Sequence, residues 1–108
     1  MNNLSTMEHE FVMFNDVEYV LKRDTYPITN QIRLDLMMFN PEEGGFEPTL
    51  EITGEIEHIE LEEGEVIIRE SSENEGIVLA LTKAGIIAKP HENIKQEFIT
   101  FHICQLIN

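Results

Sequence analysis

His102 and Cys104 stand two residues apart near the end of the sequence, where an extended strand would place both side chains on one face. A Cys–His pair does nucleophilic chemistry when a third group orients the imidazole and a nearby cation lowers the thiol pKa. The surrounding run Phe101-His102-Ile103-Cys104-Gln105-Leu106-Ile107 is apolar, holds no Lys or Arg, and offers no third member. It predicts a buried structural thiol and a core-edge or surface histidine. No Gly-x-Ser-x-Gly turn presents a serine nucleophile either.

Metal and phosphate chemistry fare no better. The histidines, His9, His58, His91 and His102, form no His-x-x-x-His pair, and a single cysteine makes no thiolate pair. The Glu-rich turns lack the Asp-x-Asp-x-Asp-Gly order of a calcium loop. Gly44-Gly45 is not followed by the Lys and Ser/Thr of a phosphate-binding loop. The sequence therefore predicts no metal, no cofactor and no enzyme.

Carboxylates are what the chain has in excess. Leu34 to Ile68 contains Asp35, Glu42, Glu43, Glu47, Glu51, Glu55, Glu57, Glu60, Glu62, Glu63 and Glu65, and no Lys or Arg. Paired carboxylates can act as acid and base, but at this density adjacency arises without any such role. Leu50, Ile52, Ile56, Ile59, Leu61 and Val66 interrupt the acids, so the tract is not a disordered tail. Residues two apart on a strand face lie roughly 6.6–6.8 Å apart. Glu55 and Glu57 have that spacing, Glu60 and Glu62 repeat it, and Glu51 joins them if Gly54 leaves the register intact. Such a face, with Glu63 and Glu65 beside it and Asp35, Glu42, Glu43 and Glu47 as an outer set, would imitate a row of phosphates. The plainer alternative is a solvated face on which Glu blunts edge strands against aggregation.

The elements that position these groups come from a chain of 108 residues, room for one domain. An apolar content of 42% supports a core, and a net charge of −14 excludes phosphate binding by clustered Lys and Arg. The same charge disfavours an anionic membrane surface and favours a basic protein surface as partner. One cysteine allows no internal disulfide, the N-terminal residues show no signal peptide, and no apolar run reaches a membrane span; a cytoplasmic protein is expected.

Along the chain, residues 1–9 read as a flexible arm, and residues 10–108 as the folded domain. Phe11–Phe14 and Val17–Lys22 flank Asn15-Asp16 as a hairpin. Ile32, Leu34, Leu36 and Met38 alternate with Arg33, Asp35 and Met37 along a strand over Gln31–Phe39. Strands follow at Thr49–Thr53 and Glu65–Arg69, with a bulge or short turn near His58 and a turn at Glu62-Glu63-Gly64. Ser72 and Glu75 have capping-box spacing, Ile77, Val78, Leu81 and Ala84 form a stripe, and Gly85 then Pro90 end it, so the spacing predicts a helix at about 73–84. Ile86–Lys89 reads as a short strand and Glu97–Ile107 as a last strand closing the sheet. The fold class is α+β: one mostly antiparallel sheet with one helix packed on a face. The clusters Phe11/Met13/Phe14 and Met37/Met38/Phe39 read as core, although Met at a strand end also suits an adaptable contact surface.

The run Val66-Ile67-Ile68-Arg69-Glu70-Ser71-Ser72-Glu73-Asn74-Glu75-Gly76-Ile77-Val78-Leu79-Ala80-Leu81, followed by Ala84-Gly85-Ile86-Ile87, resembles a family of small uncharacterised proteins carried by conjugative elements, plasmids and phages of Gram-positive bacteria. That family's pattern is a strand ending near a basic residue, Ser-x-Asn-x-Gly, an amphipathic helix and Ala-Gly-Ile-Val. Glu18-Tyr19-Val20-Leu21 and Pro48-Thr49-Leu50-Glu51-Ile52 are similar to its upstream strands, and the acidic stretch Gly54–Gly64 departs from it. The resemblance implies a mobile-element setting, in which small acidic proteins inhibit host defence nucleases or act as accessory factors. The expectation is a non-enzymatic inhibitor of the anti-CRISPR or antirestriction type that mimics DNA. The alternatives are an immunity protein against a cationic nuclease toxin and an accessory protein with no charged partner, the last requiring acids scattered over both faces of the sheet.

Overall fold

Asn15 and Asp16 adopt φ of 55° and 64°, the paired left-handed conformation of a two-residue hairpin turn that short polar side chains tolerate. They join β1 (Glu10–Phe14) to β2 (Val17–Thr25). β3 (Ile32–Asn40) and β4 (Gly45–Glu51) complete an antiparallel sheet of order β1-β2-β3-β4, with a register shift between Leu36 and Met37. Residues 10–107 are described in this computed structural model, so the arm expected at residues 1–9 lies outside the described residues.

A second sheet, not the closing strand of a single one, forms the other half. β5 (Glu65–Glu70), β6 (Glu92–Gln96) and β7 (Ile99–Gln105) pair in the order β5-β7-β6. The strand expected over Glu97–Ile107 is thus the second arm of a hairpin that turns at Glu97, φ 55°. Ile86–Lys89 contributes only the bridge Ile87↔Leu106.

The helix is shorter than expected. Ser72–Asn74 is one turn of 3-10 helix and α1 spans Ile77–Lys83. Gly76, at φ 94°, separates them because its backbone is left-handed. The capping box sits one residue earlier than its sequence spacing suggested. Glu73 N–H donates to Ser71 Oγ at 3.3 Å, and Ser71 N–H donates to Asn74 Oδ1 at 2.8 Å. Asn74 Nδ2 also donates to the carbonyl of Arg69, which anchors this buried amide. The C-terminal end agrees with expectation: Lys83 closes the last turn and Gly85 takes φ 77°. Seven residues would not hold a helix in water. Burial of Ile77 and Leu81 in the core supplies what propensity does not, about 1.5–3 kcal/mol for each side chain.

The core lies between the sheets and under α1. Val12, Leu34, Leu36, Ile52, Ile68 and Cys104 are all fully buried there. Two residues join the layers. Ile52 N–H donates to the carbonyl of Leu34 in β3, and its carbonyl accepts from Arg69 N–H in β5. Thr53 pairs with Ile68, and its hydroxyl oxygen accepts from Leu34 N–H at 3.1 Å.

Candidate functional site

β4 ends at Glu51, and residues 54–64 form a turn-containing loop with no ladder strand. The expectation of an acidic strand face at Glu51, Glu55, Glu57, Glu60 and Glu62 is therefore corrected. Two contacts from distant parts of the chain stand where the strand pairing would be. Gly54 lies under the ring of Phe101, and Gln31 takes the place of a neighbouring strand. Gln31 Nε2 donates to the carbonyls of Ile56 (2.8 Å) and Ile59 (3.2 Å), and Ile56 N–H donates to Gln31 Oε1 at 3.0 Å. A buried side-chain amide thus satisfies the backbone that a ladder would otherwise engage. The turn expected near His58 is present, with Ile59 N–H donating to the Ile56 carbonyl, and Gly64 turns the chain into β5 at φ 82°.

The acids fall into three groups. Asp35 and Glu51 face each other on the outer side of the first sheet. Asp35 is buried and accepts from Arg33 Nε at 3.1 Å, so it is not available to a partner as the sequence suggested. Glu51 accepts the hydroxyl of Tyr26 and stands 3.9 Å from Arg33. Burial and the Glu51 carboxylate push the Tyr26 hydroxyl up to about 12. A second group, Glu42, Glu43 and Glu47, occupies the β3–β4 turn and the start of β4, where Glu47 accepts from Asn40 Nδ2.

The third group surrounds a cleft. Residues 28–32, 57 and 59–65 line an open cleft of about 640 Å³, where Glu57, Glu60, Glu62, Glu63 and Glu65 stand around the half-buried Ile32, Ile59 and Leu61 and the exposed Ile28, with no Lys or Arg in the lining. Glu65 has a structural duty: it accepts from Glu62 N–H at 2.8 Å and pairs with His91 at 2.8 Å. Glu55 does too, accepting from Thr29 Oγ1 at 2.8 Å and Thr29 N–H at 3.2 Å. Among the described residues, no ion pair reaches Glu57, Glu60, Glu62 or Glu63, and all four are exposed. Glu55 and Gln31 hold the loop in place, so these carboxylates are presented on a fixed backbone. Half-buried Ile32, Ile59 and Leu61 among carboxylates suit the stem and head of a Lys or Arg side chain, which packs its methylenes on apolar surface and keeps its charge at the edge.

Cys104 and His102 both lie on β7. Cys104 is fully buried and burial pushes its thiol up to about 12. His102 Nε2 lies 2.9 Å from Glu70 Oε1. Among the described residues, no group of three or more His, Cys, Asp or Glu is placed to hold a metal ion, and no helix is long and apolar enough to cross a membrane.

No family model, no curated protein and no solved structure matches this chain. Gln31, which shapes the site, had no signal in the sequence beyond being an isolated amide at a strand start.

Proposed function

We propose that the protein is a non-catalytic binding protein that docks its acidic loop against a basic protein surface, and that this surface is the nucleic-acid groove of a defence nuclease or similar effector in a bacterial cell. The observation that supports the reading is the cleft itself: four carboxylates that have no cationic partner among the described residues gather on a pinned loop beside half-buried Ile32, Ile59 and Leu61. Uncompensated like charge disfavours the compact state, while it accelerates encounter with an oppositely charged groove. The likeness to phosphates is one of sign and density, since the loop lacks the even spacing of a strand. The resemblance of residues 65–107 to small mobile-element proteins supplies the setting.

The test is affinity capture from a bacterial host lysate, with the wild-type protein and the Glu57→Lys/Glu60→Lys/Glu62→Lys variant as parallel baits. The wild type should retain a basic nucleic-acid-binding protein that salt elutes and duplex DNA displaces. Retention of the same protein by the charge-reversed bait sinks the reading.

A further inference from the structure

The outer face of the four-stranded sheet carries an apolar patch that the core does not use. Strand register sets Phe11, Val20, Met37 and Pro48 side by side across all four strands. Along the same face, one step toward the turns, lie Met13 and Phe39, the latter edge-on to Phe46 with ring centroids 5.4 Å apart. Phe11 is 52% exposed, Met13 58% and Phe39 55%, while Val20 in the middle of the row is only 9% exposed. At about 200 Å² per large side chain, these three alone leave on the order of 300 Å² of apolar surface in water, the size of the largest patch on a typical monomer, which is often functional.

Charge selects the occupant. Glu18 stands within the second row of the face, between Met13 and Phe39, Asp16 lies at the β1–β2 turn, and Glu42 and Glu43 stand at the β3–β4 turn of the same sheet end. The cations of this face, Lys22 and Arg33, lie at the opposite end beside Asp35. A second copy of the chain would bring another net charge of −14 to an acidic rim. We infer that this face is a docking surface for a basic amphipathic helix of a partner protein, whose apolar stripe covers Phe11, Met13, Met37 and Phe39, with one Lys or Arg set against Glu18 between them and others meeting Glu42 and Glu43 at the turn end. The dimensions agree: a helix is about 10–12 Å across, and four strands spaced about 4.8 Å apart make a seat of similar width. A helix laid on a sheet face is the ordinary second layer of an α+β packing. Methionine suits the role because its flexible thioether adapts to side chains of varied shape. The surface is separate from the acidic cleft, so it stands or falls independently of the proposed function.

The probe is a fluorophore-labelled Leu/Lys peptide patterned as an amphipathic helix, with a scrambled peptide of the same composition as control, titrated into the full-length protein by anisotropy. The patterned peptide should bind at least ~10-fold more tightly than the scrambled one. Phe39→Ser should erase that margin, and Phe11→Ser/Met13→Ser should do the same from the edge strand in case Phe39→Ser fails to fold. Glu57→Gln/Glu60→Gln/Glu62→Gln should preserve it. Equal binding of the two peptides overturns the inference, as does loss of the margin in the loop variant but not in the face variants. A wild-type dimer in light scattering that becomes monomeric with Phe39→Ser also overturns it, by naming a second copy as the occupant.

Discussion

A Cβ placed on Gly54 would stand 2.7 Å from Cε1 of Phe101 and 3.0 Å from its Cδ1. The loop that carries the acidic cleft thus leaves the core flat against an aromatic ring, and only a glycine permits that approach. Gly54→Ala should destabilise the protein by about 1–3 kcal/mol through overpacking. Chemical denaturation would show it, and Phe101→Leu in the same chain should recover part of the loss. An unchanged midpoint for Gly54→Ala would mean that the ring moves aside freely.

Gln31→Leu keeps the volume and removes three hydrogen bonds to the backbone of Ile56 and Ile59. The orphaned groups should cost about 1–3 kcal/mol. Hydrogen exchange should accelerate selectively at Ile56, with Leu34 and Leu36 still protected, because only the loop loses its anchor.

Alkaline stability should depend on Tyr26. Its hydroxyl ionises near 12 in the folded protein against an ordinary value of 10. The folded state holds the proton more tightly, so the contribution is fully present below pH 10 and is lost as pH rises through 12. Denaturation midpoints should fall across that window, and Tyr26→Phe should flatten the fall while costing about 1 kcal/mol at neutral pH through lost hydrogen bonds to Glu51 and Thr53. Tyrosinate absorbance followed alongside would assign the step.

Salt should stabilise the protein at neutral pH by screening the exposed carboxylates. Glu57→Lys/Glu60→Lys/Glu62→Lys should raise the melting temperature by on the order of a few °C and weaken its dependence on salt. A variant that melts lower than the wild type would show that these acids have partners that hold the fold.

The features legible in the sequence are those whose causes are local. Lys83 and Gly85 mark the end of α1 because the last turn of a helix recruits a cation and a left-handed residue from the adjacent chain. The capping box was misplaced by one because Ser71 and Ser72 offer the same hydroxyl, and the choice between them is made by the hydrogen bond from Asn74 to the Arg69 carbonyl. β6 is not legible in the sequence because Glu92-Asn93-Ile94-Lys95-Gln96 has one apolar residue and owes its strand to pairing with β7. The alternation Glu55-Ile56-Glu57 does read as a strand, and what overrules it is an amide 25 residues away. Phe11-Val12-Met13-Phe14 is apolar at every position, so a two-residue period could not say which side faces water. All eleven acids are visible as charges, yet whether Glu51, Glu55 or Glu65 closes a bond or meets solvent depends on Tyr26, Thr29 and His91, 25 or 26 residues away in sequence, while Asp35 is held by its near neighbour Arg33.

Thr53 has a consequence for how the molecule comes apart. Its hydroxyl serves Leu34 in one sheet and Tyr26 in the connecting loop, while its backbone pairs with Ile68 in the other sheet. Neither sheet can peel away without stranding a buried donor, so the two halves should melt in one cooperative step with no half-folded intermediate. That all-or-none behaviour protects a chain whose sheets end on strands such as β1 and β6, because swapped and fibrillar assemblies start from molecules that have opened on one side only.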